Sequence, residues 1–102
     1  MRDWLRSHND LMMKQVHKPL MLGEFSKARP QKERDLIFDT AFKEIEHAAA
    51  HYGALMGGDL IWTLSIPAYD CGALHNFSIC PSEETSMALI KRHAQRLQES
   101  VW

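Results

Sequence analysis

The stretch from Lys18 to Pro30, KPLMLGEFSKARP, decides how this chain is read. Three large apolar residues, Leu20, Met21 and Leu22, pass through a glycine and deliver a carboxylate, Glu24, against Phe25 just before the sequence turns polar. Proline is tolerated at the first position of a strand, and the unbroken apolar run after it is the pattern of a short strand buried on both faces, as in parallel sheets. A strand is therefore predicted over residues 19–24. A glutamate so close to a buried segment is costly to desolvate unless it is paired, hydrogen-bonded or open to a cleft. On the residues alone, Glu24 reads as a strand-end carboxylate paired with Lys18 or Lys27.

Upstream of this strand, Trp4, His8, Leu11 and Gln15 recur at helical spacing, with Leu5 and Met12 widening the apolar side, which predicts an amphipathic helix over residues 3–16. Downstream, Phe38, Phe42, Ile45, Ala49 and Tyr52 form one stripe of a long helix over residues 33–52, and Gly53 supplies its stop. The run MGGDLIWTLSI then gives a second strand over residues 59–64, entered through two glycines and ended near Pro67. After a turn-rich loop from Pro67 to Pro81, Ser82 is placed to cap a last helix with the stripe Met87, Ile90, Ala94, Leu97 and Val101. The order is αβαβα, and the helix between the strands is long enough for a right-handed crossover that sets them parallel and adjacent.

With 102 residues there is room for one small domain. Twelve Lys and Arg against thirteen Asp and Glu give a net charge of -1 with no block of either sign, so neither nucleic acid nor an anionic membrane is implied as a partner. The start, MRDWLRSHND, lacks the continuous apolar core of a secretory signal, and no apolar stretch is long enough to span a bilayer. Cys71 and Cys80 could close a ten-residue loop in an oxidising compartment, but one pair is a weak signal and free thiols are expected.

The remaining polar residues read mostly as surface. His47 and His51, four apart, could chelate a divalent metal with Glu44 or another chain, yet two imidazoles near a helix C-terminus also suit the helix dipole as a solvated pair, which is the reading adopted. His8 is assigned to packing at a helix edge. The run KARPQKERD, residues 27–35, reads as a solvated connection, and Asp70, Glu83 and Glu84 as surface or helix-start carboxylates. A two-stranded parallel sheet leaves both edges unpaired and cannot close a core over three helix stripes, so the chain reads as a piece of something larger.

The residues carry a family likeness that fits such a piece. WLRSHNDLMMKQVHKPLMLGEFSKA resembles the surroundings of the seventh strand in the plant-type mannan endo-1,4-β-mannosidases of glycoside hydrolase family 5, where Trp and His on a helix precede Lys-Pro, an apolar strand and Glu-Phe. RDLIFDTAFKEIEHAAAHYGALMGGDLIWTL is similar to the next helix and an eighth strand ending in Trp, and HNFSICPSEETSMALIKRHAQRL to the final loop and helix. His75-Asn76 stands where the family more often has Asp-Gly before an aromatic.

This resemblance implies that residues 1–102 are the C-terminal part of a (β/α)8 barrel, about strands 7 and 8 with flanking helices, from a secreted cell-wall enzyme. It implies retaining hydrolysis of β-mannan, with Glu24 as the nucleophile, Trp62 as the aromatic platform for the sugar, and no metal or organic cofactor. The family's acid/base glutamate comes from an earlier strand that this chain does not contain. The isolated chain is therefore expected to be inactive and to self-associate. The alternative reading is a non-catalytic product that binds carbohydrate or pairs its strand edges with another chain.

Overall fold

The computed structural model describes residues 1–28, 30–53, 56–64 and 77–101, with side chains up to residue 99. Helix α1 (Arg2–Leu11) runs into a single π-helical turn, Met12–Val16, which ends at His17 in the left-handed conformation (φ 57°). Strand β1 (Leu20–Phe25), helix α2 (Gln31–Tyr52), strand β2 (Met56–Ile61) and helix α3 (Glu84–Val101) follow in order. The two strands are parallel neighbours, as expected. The product is a small α/β unit with the helices on one side of a two-stranded sheet.

Helix α2 is the axis of the core. Phe38, Phe42, Ile45 and Ala49 are all buried and Tyr52 is half-buried, so the observed stripe follows the predicted one and loosens at its last position. Gly53 ends the helix with φ 60°, a conformation that costs glycine least, and its N–H returns to the carbonyl of Ala49. One apolar cluster gathers Leu5, Phe25, Phe38, Ala41, Phe42 and Ile79, and a second gathers Met13, Ile45, Ala48, Ala49 and Met56. The rings of Phe25 and Phe38 meet edge to face at 5.4 Å, a favoured aromatic geometry.

Several expectations are corrected. The buried stripe of α1 is Leu5, Asn9 and Met13, not Trp4, His8 and Leu11, and Trp4 is 56% exposed. His8 instead stacks on the Trp4 ring at 4.1 Å along the exposed side of the helix. Strand β2 starts three residues before the predicted Asp59, because Gly57 and Gly58 lie inside the ladder. A Cβ at Gly57 would stand 3.2 Å from the carbonyl oxygen of Leu20, and Gly58 has φ 123°, so both glycines answer to close strand approach and local backbone shape.

Helix α3 begins at Glu84, past Ser82, and its buried positions are Ser86 and His93, flanked by half-buried Met87, Leu89, Ile90 and Leu97, while Ala94 is exposed. The side chain of Val101 lies outside the described residues, as do Asp70, Cys71, His75, Asn76 and most of the loop predicted from Pro67 to Pro81. Cys80 is disulfide-bonded, which overturns the expected free thiol.

Strand β1 also departs from its predicted burial on both faces. Its helix side is covered, but Met21 is 56% exposed on the other. Among the described residues, one layer of helices covers this two-faced sheet.

Candidate functional site at the C-terminal ends of the strands

The register of the sheet answers the question posed by Glu24. Strand β2 carries an extra residue between the pairs Leu20↔Met56 and Met21↔Gly58, and β1 carries one, Gly23, between Leu22↔Asp59 and Glu24↔Leu60. An extra residue in one strand reverses the alternation of side chains beyond it. Without the irregularity at Gly23, Glu24 would share the face of Leu22, which packs against the helices. With it, Phe25 enters the core at 8% exposure and Glu24 is exposed beside Met21 and its partner Leu60, on the uncovered face. The bulge thus exposes the carboxylate and buries the adjacent ring in one step.

Neither lysine proposed as a partner of Glu24 is found with it. Lys27 Nζ lies 3.3 Å from Glu33, and Lys18 is exposed at the opposite end of β1. Among the described residues no hydrogen bond or ion pair reaches the Glu24 carboxylate. A charge at a strand end facing solvent needs none, because water supplies its hydration.

Trp62 follows β2 directly. Its N–H donates to the carbonyl of Phe25 at 3.0 Å, continuing the ladder one rung beyond Ile61. Leu60, Trp62 and Leu64 are 54%, 42% and 51% exposed, whereas Ile61 packs on the core, so the indole-bearing position alternates onto the face that carries Glu24. The peptide bond between Trp62 and Thr63 is cis. The two residues singled out in the sequence therefore lie at the same ends of adjacent strands.

Two polar constellations escaped the sequence reading. Arg34, inside the supposedly solvated run, is fully buried: Nη1 donates to the carbonyl of Ser78 at 3.0 Å, and Nη2 to Glu83 at 2.5 Å and Ser86 Oγ at 3.2 Å. Glu83 is accordingly no surface carboxylate, since its other oxygen accepts from the N–H of Cys80 at 2.9 Å. A missing signal was available: Arg34 stands four residues before Phe38, extending the α2 stripe by one turn.

The second constellation is His93, which joins α3 to its neighbour α2 and to strand β2. Nδ1 lies 2.9 Å from Glu46 on α2, Nε2 lies 2.5 Å from Asp59 on β2, and the ring stacks on Phe42 at 4.0 Å. Burial alone would lower the affinity of this ring for its second proton, but the hydrogen bonds and charges of Asp59 and Glu46 outweigh it and raise the pKa above 6.5. His93 occupies the stripe position between Ile90 and Leu97, so a polar residue in an apolar period was again the readable sign.

His47 and His51 are exposed, with rings 4.3 Å apart. Glu44, weighed as their third ligand, is buried and forms a two-pronged pair with Arg6, at 2.8 and 3.1 Å. No group of three or more His, Cys, Asp or Glu residues suited to a metal ion occurs among the described residues. Nor is any described helix long and apolar enough to cross a membrane.

The family likeness is borne out by comparison with known proteins. The chain is similar to several plant mannan endo-1,4-β-mannosidases at 32–36% identity over about two thirds of its length. Mannan endo-1,4-beta-mannosidase 7 of Arabidopsis thaliana is 33% identical over 72 residues, 66% of this chain. Mannan endo-1,4-beta-mannosidase 3 of Solanum lycopersicum is 35% identical over 66 residues, and mannan endo-1,4-beta-mannosidase 1 of Oryza sativa subsp. japonica is 32% identical over 72. Each match spans only 16% of the relative's own length. No protein-family model matches the chain.

Proposed function

We propose that residues 1–102 are the C-terminal portion of the (β/α)8 catalytic domain of a family 5 β-mannanase, with β1 and β2 as about the seventh and eighth barrel strands. The observation that supports this reading most is the shared placement of Glu24 and Trp62 at the C-terminal ends of adjacent parallel strands, on the face the helices leave open. Catalytic groups of barrel enzymes come from that end of the strands. The uncovered sheet face corresponds in this reading to the barrel interior, and the outer edges of β1 and β2 to the ladders that the missing strands would complete.

The chemistry follows from what the two residues offer. A solvent-facing carboxylate held on a strand is a competent nucleophile: Glu24 attacks the anomeric carbon of a β-mannosyl unit, the bond to the leaving oxygen breaks, and a covalent glycosyl-enzyme forms. A second carboxyl group, about 5 to 5.5 Å away in retaining enzymes, protonates the departing oxygen and then deprotonates the water that releases the sugar. That group belongs to an upstream segment. Trp62 supplies an apolar aromatic face against the ring of the sugar being cleaved. The substrate is a β-1,4-linked mannan, no cofactor takes part, and the disulfide at Cys80 suits a secreted protein of the cell wall.

A second reading rests on the same exposed face. Met21, Leu60 and Leu64, each at least half exposed on a sheet that holds two strands among the described residues, suit a non-catalytic chain that associates with copies of itself or pairs its strand edges with another chain. Complementation separates the two. The chain alone is expected to release no reducing ends from β-mannan, since loss of the acid/base group removes about 10²–10⁴-fold and loss of the other strands removes substrate positioning. Co-expressed with the upstream part of one of its plant relatives, it is expected to restore turnover. Stable assembly with that part but no turnover would overturn the catalytic reading.

A further inference from the structure

Beyond Trp62 the chain is held by a segment from much later in the sequence. The N–H of Ile79 donates to the carbonyl of Thr63 at 2.7 Å, Leu64 and Ile79 form a parallel bridge, and the N–H of Thr63 makes a longer contact, 3.4 Å, with the carbonyl of Phe77. Residues 77–80 thus add a short second ladder just beyond the end of β2. Ile79 is fully buried in the core cluster of Phe25, Phe38 and Phe42, and Ser78 and Cys80 are buried beside it.

This short ladder is fastened from α2. The Arg34 guanidinium reaches the carbonyl of Ser78 through one nitrogen and Glu83 through another, and Glu83 in turn accepts from the N–H of Cys80. The pair is 0% and 10% exposed, and Arg34 Nη2 also meets Ser86 Oγ, whose hydroxyl donates to Asp35 at 2.6 Å. The carbonyl of Ser78 and the N–H of Cys80 flank Ile79, so the residue that bonds Thr63 is gripped on both sides. Trp62 then has two backbone fixings: its own N–H on Phe25, next to Glu24, and the Thr63 rung on the far side.

We infer that Arg34, acting with Glu83 through residues 78–80, is a positioning residue for Trp62, fixing the indole relative to Glu24. The inference rests on the platform role proposed for Trp62, but its physical content is a mechanical link from α2 to the end of β2. A planar guanidinium can serve a carbonyl and a carboxylate at once, whereas an ammonium is a single point that cannot hold both in the same geometry. The role belongs to the fork, and charge alone does not supply it.

Hydrogen exchange on the 102-residue chain, read at single amides, tests the link. Arg34→Lys keeps the charge opposite Glu83 and is expected to raise exchange at Ile79 and Thr63 by roughly tenfold, the worth of one or two lost backbone hydrogen bonds, with the α2 amides from Phe38 to Ala49 unchanged. The apolar pair Arg34→Met with Glu83→Met removes both charges together, a replacement that buried pairs often tolerate, and is expected to show the same local loss. With Trp4 and Trp102 replaced by Phe, the near-ultraviolet signal of Trp62 should weaken in both variants. Wild-type exchange at Ile79 and Thr63 in whichever variant keeps α2 protected overturns the inference, and so does general loss of protection along α2 in both. Kinetics on mannohexaose in the barrel completed by the upstream part distinguishes the underlying reading: wild-type kcat/KM in a folded Trp62→Ala protein speaks against the platform role and leaves the exchange result standing.

Discussion

The N–H of Trp62 bonds the carbonyl of Phe25 at 3.0 Å, so the aromatic at the end of β2 is tied to the residue that immediately follows Glu24 on β1. A shift of either strand end therefore moves both prospective site residues together. The hydrogen bond is also the last rung of a ladder whose two glycine-centred irregularities set which side chains face the helices.

The open sheet predicts the solution behaviour of the chain. With Met21, Leu60 and Leu64 exposed on a sheet that holds two strands among the described residues, the isolated protein is expected to form dimers or larger assemblies, or a loosely packed state. Sedimentation velocity with near-ultraviolet circular dichroism measures this. A monodisperse monomer with a sharp cooperative melt would show that the exposed face needs no cover, and would speak for an independent small α/β domain.

The His93 clamp makes a signed prediction for pH. Its pKa is raised in the folded chain, so its stabilisation is fully present below the ordinary imidazole value of about 6.5 and is lost as pH rises through the raised value. On the other side of the ring, Glu46 also receives Arg96 at 3.2 Å, so the group faces two carboxylates and, beyond one of them, a cation. The urea midpoint of the wild-type chain should fall from mildly acidic to alkaline pH, and His93→Gln should lose most of that slope. An equal slope in the variant would assign the pH dependence to other groups.

Loss of the platform is expected to act on substrate in both its ground and transition states. In the complemented barrel, Trp62→Ala should weaken binding and turnover together, because a sugar-stacking surface contributes to both. Steady-state kinetics on mannohexaose provides the check. Wild-type kcat/KM in a folded variant would make Trp62 a packing residue only.

How much of this was legible in the sequence depended on whether a feature was local. The α2 stripe from Phe38 to Ala49 was plain because a helix repeats its apolar face within a few residues, and Gly53 marked its end by a conformation suited to glycine. The strand pair and its parallel sense followed from the length of the crossover. On α1, two stripes compete, and the one with Trp4 and Leu11 lost to Leu5, Asn9 and Met13 because α2 lies on that side. Arg34 and His93 were missed because their partners are distant in sequence: Ser78 and Glu83 for the first, Glu46 and Asp59 for the second. No periodicity reports a partner 30 or more residues away; the nearest of these four is Asp59, at a separation of 34. The face of Glu24 was hidden for another reason, since strict alternation from Leu22 gives the wrong side and the correction resides in the register at Gly23.

The most direct test of the account is chemical rescue of Glu24 in the complemented barrel. Glu24→Ala should abolish turnover of an activated β-mannoside while leaving the fold intact, because the side chain is exposed and carries no core packing. Azide can then occupy the space of the missing carboxylate and attack the anomeric carbon from the same face. The account predicts an α-mannosyl azide as the product; a Glu24→Ala protein with wild-type turnover, or azide rescue that yields only the β-anomer, would contradict it.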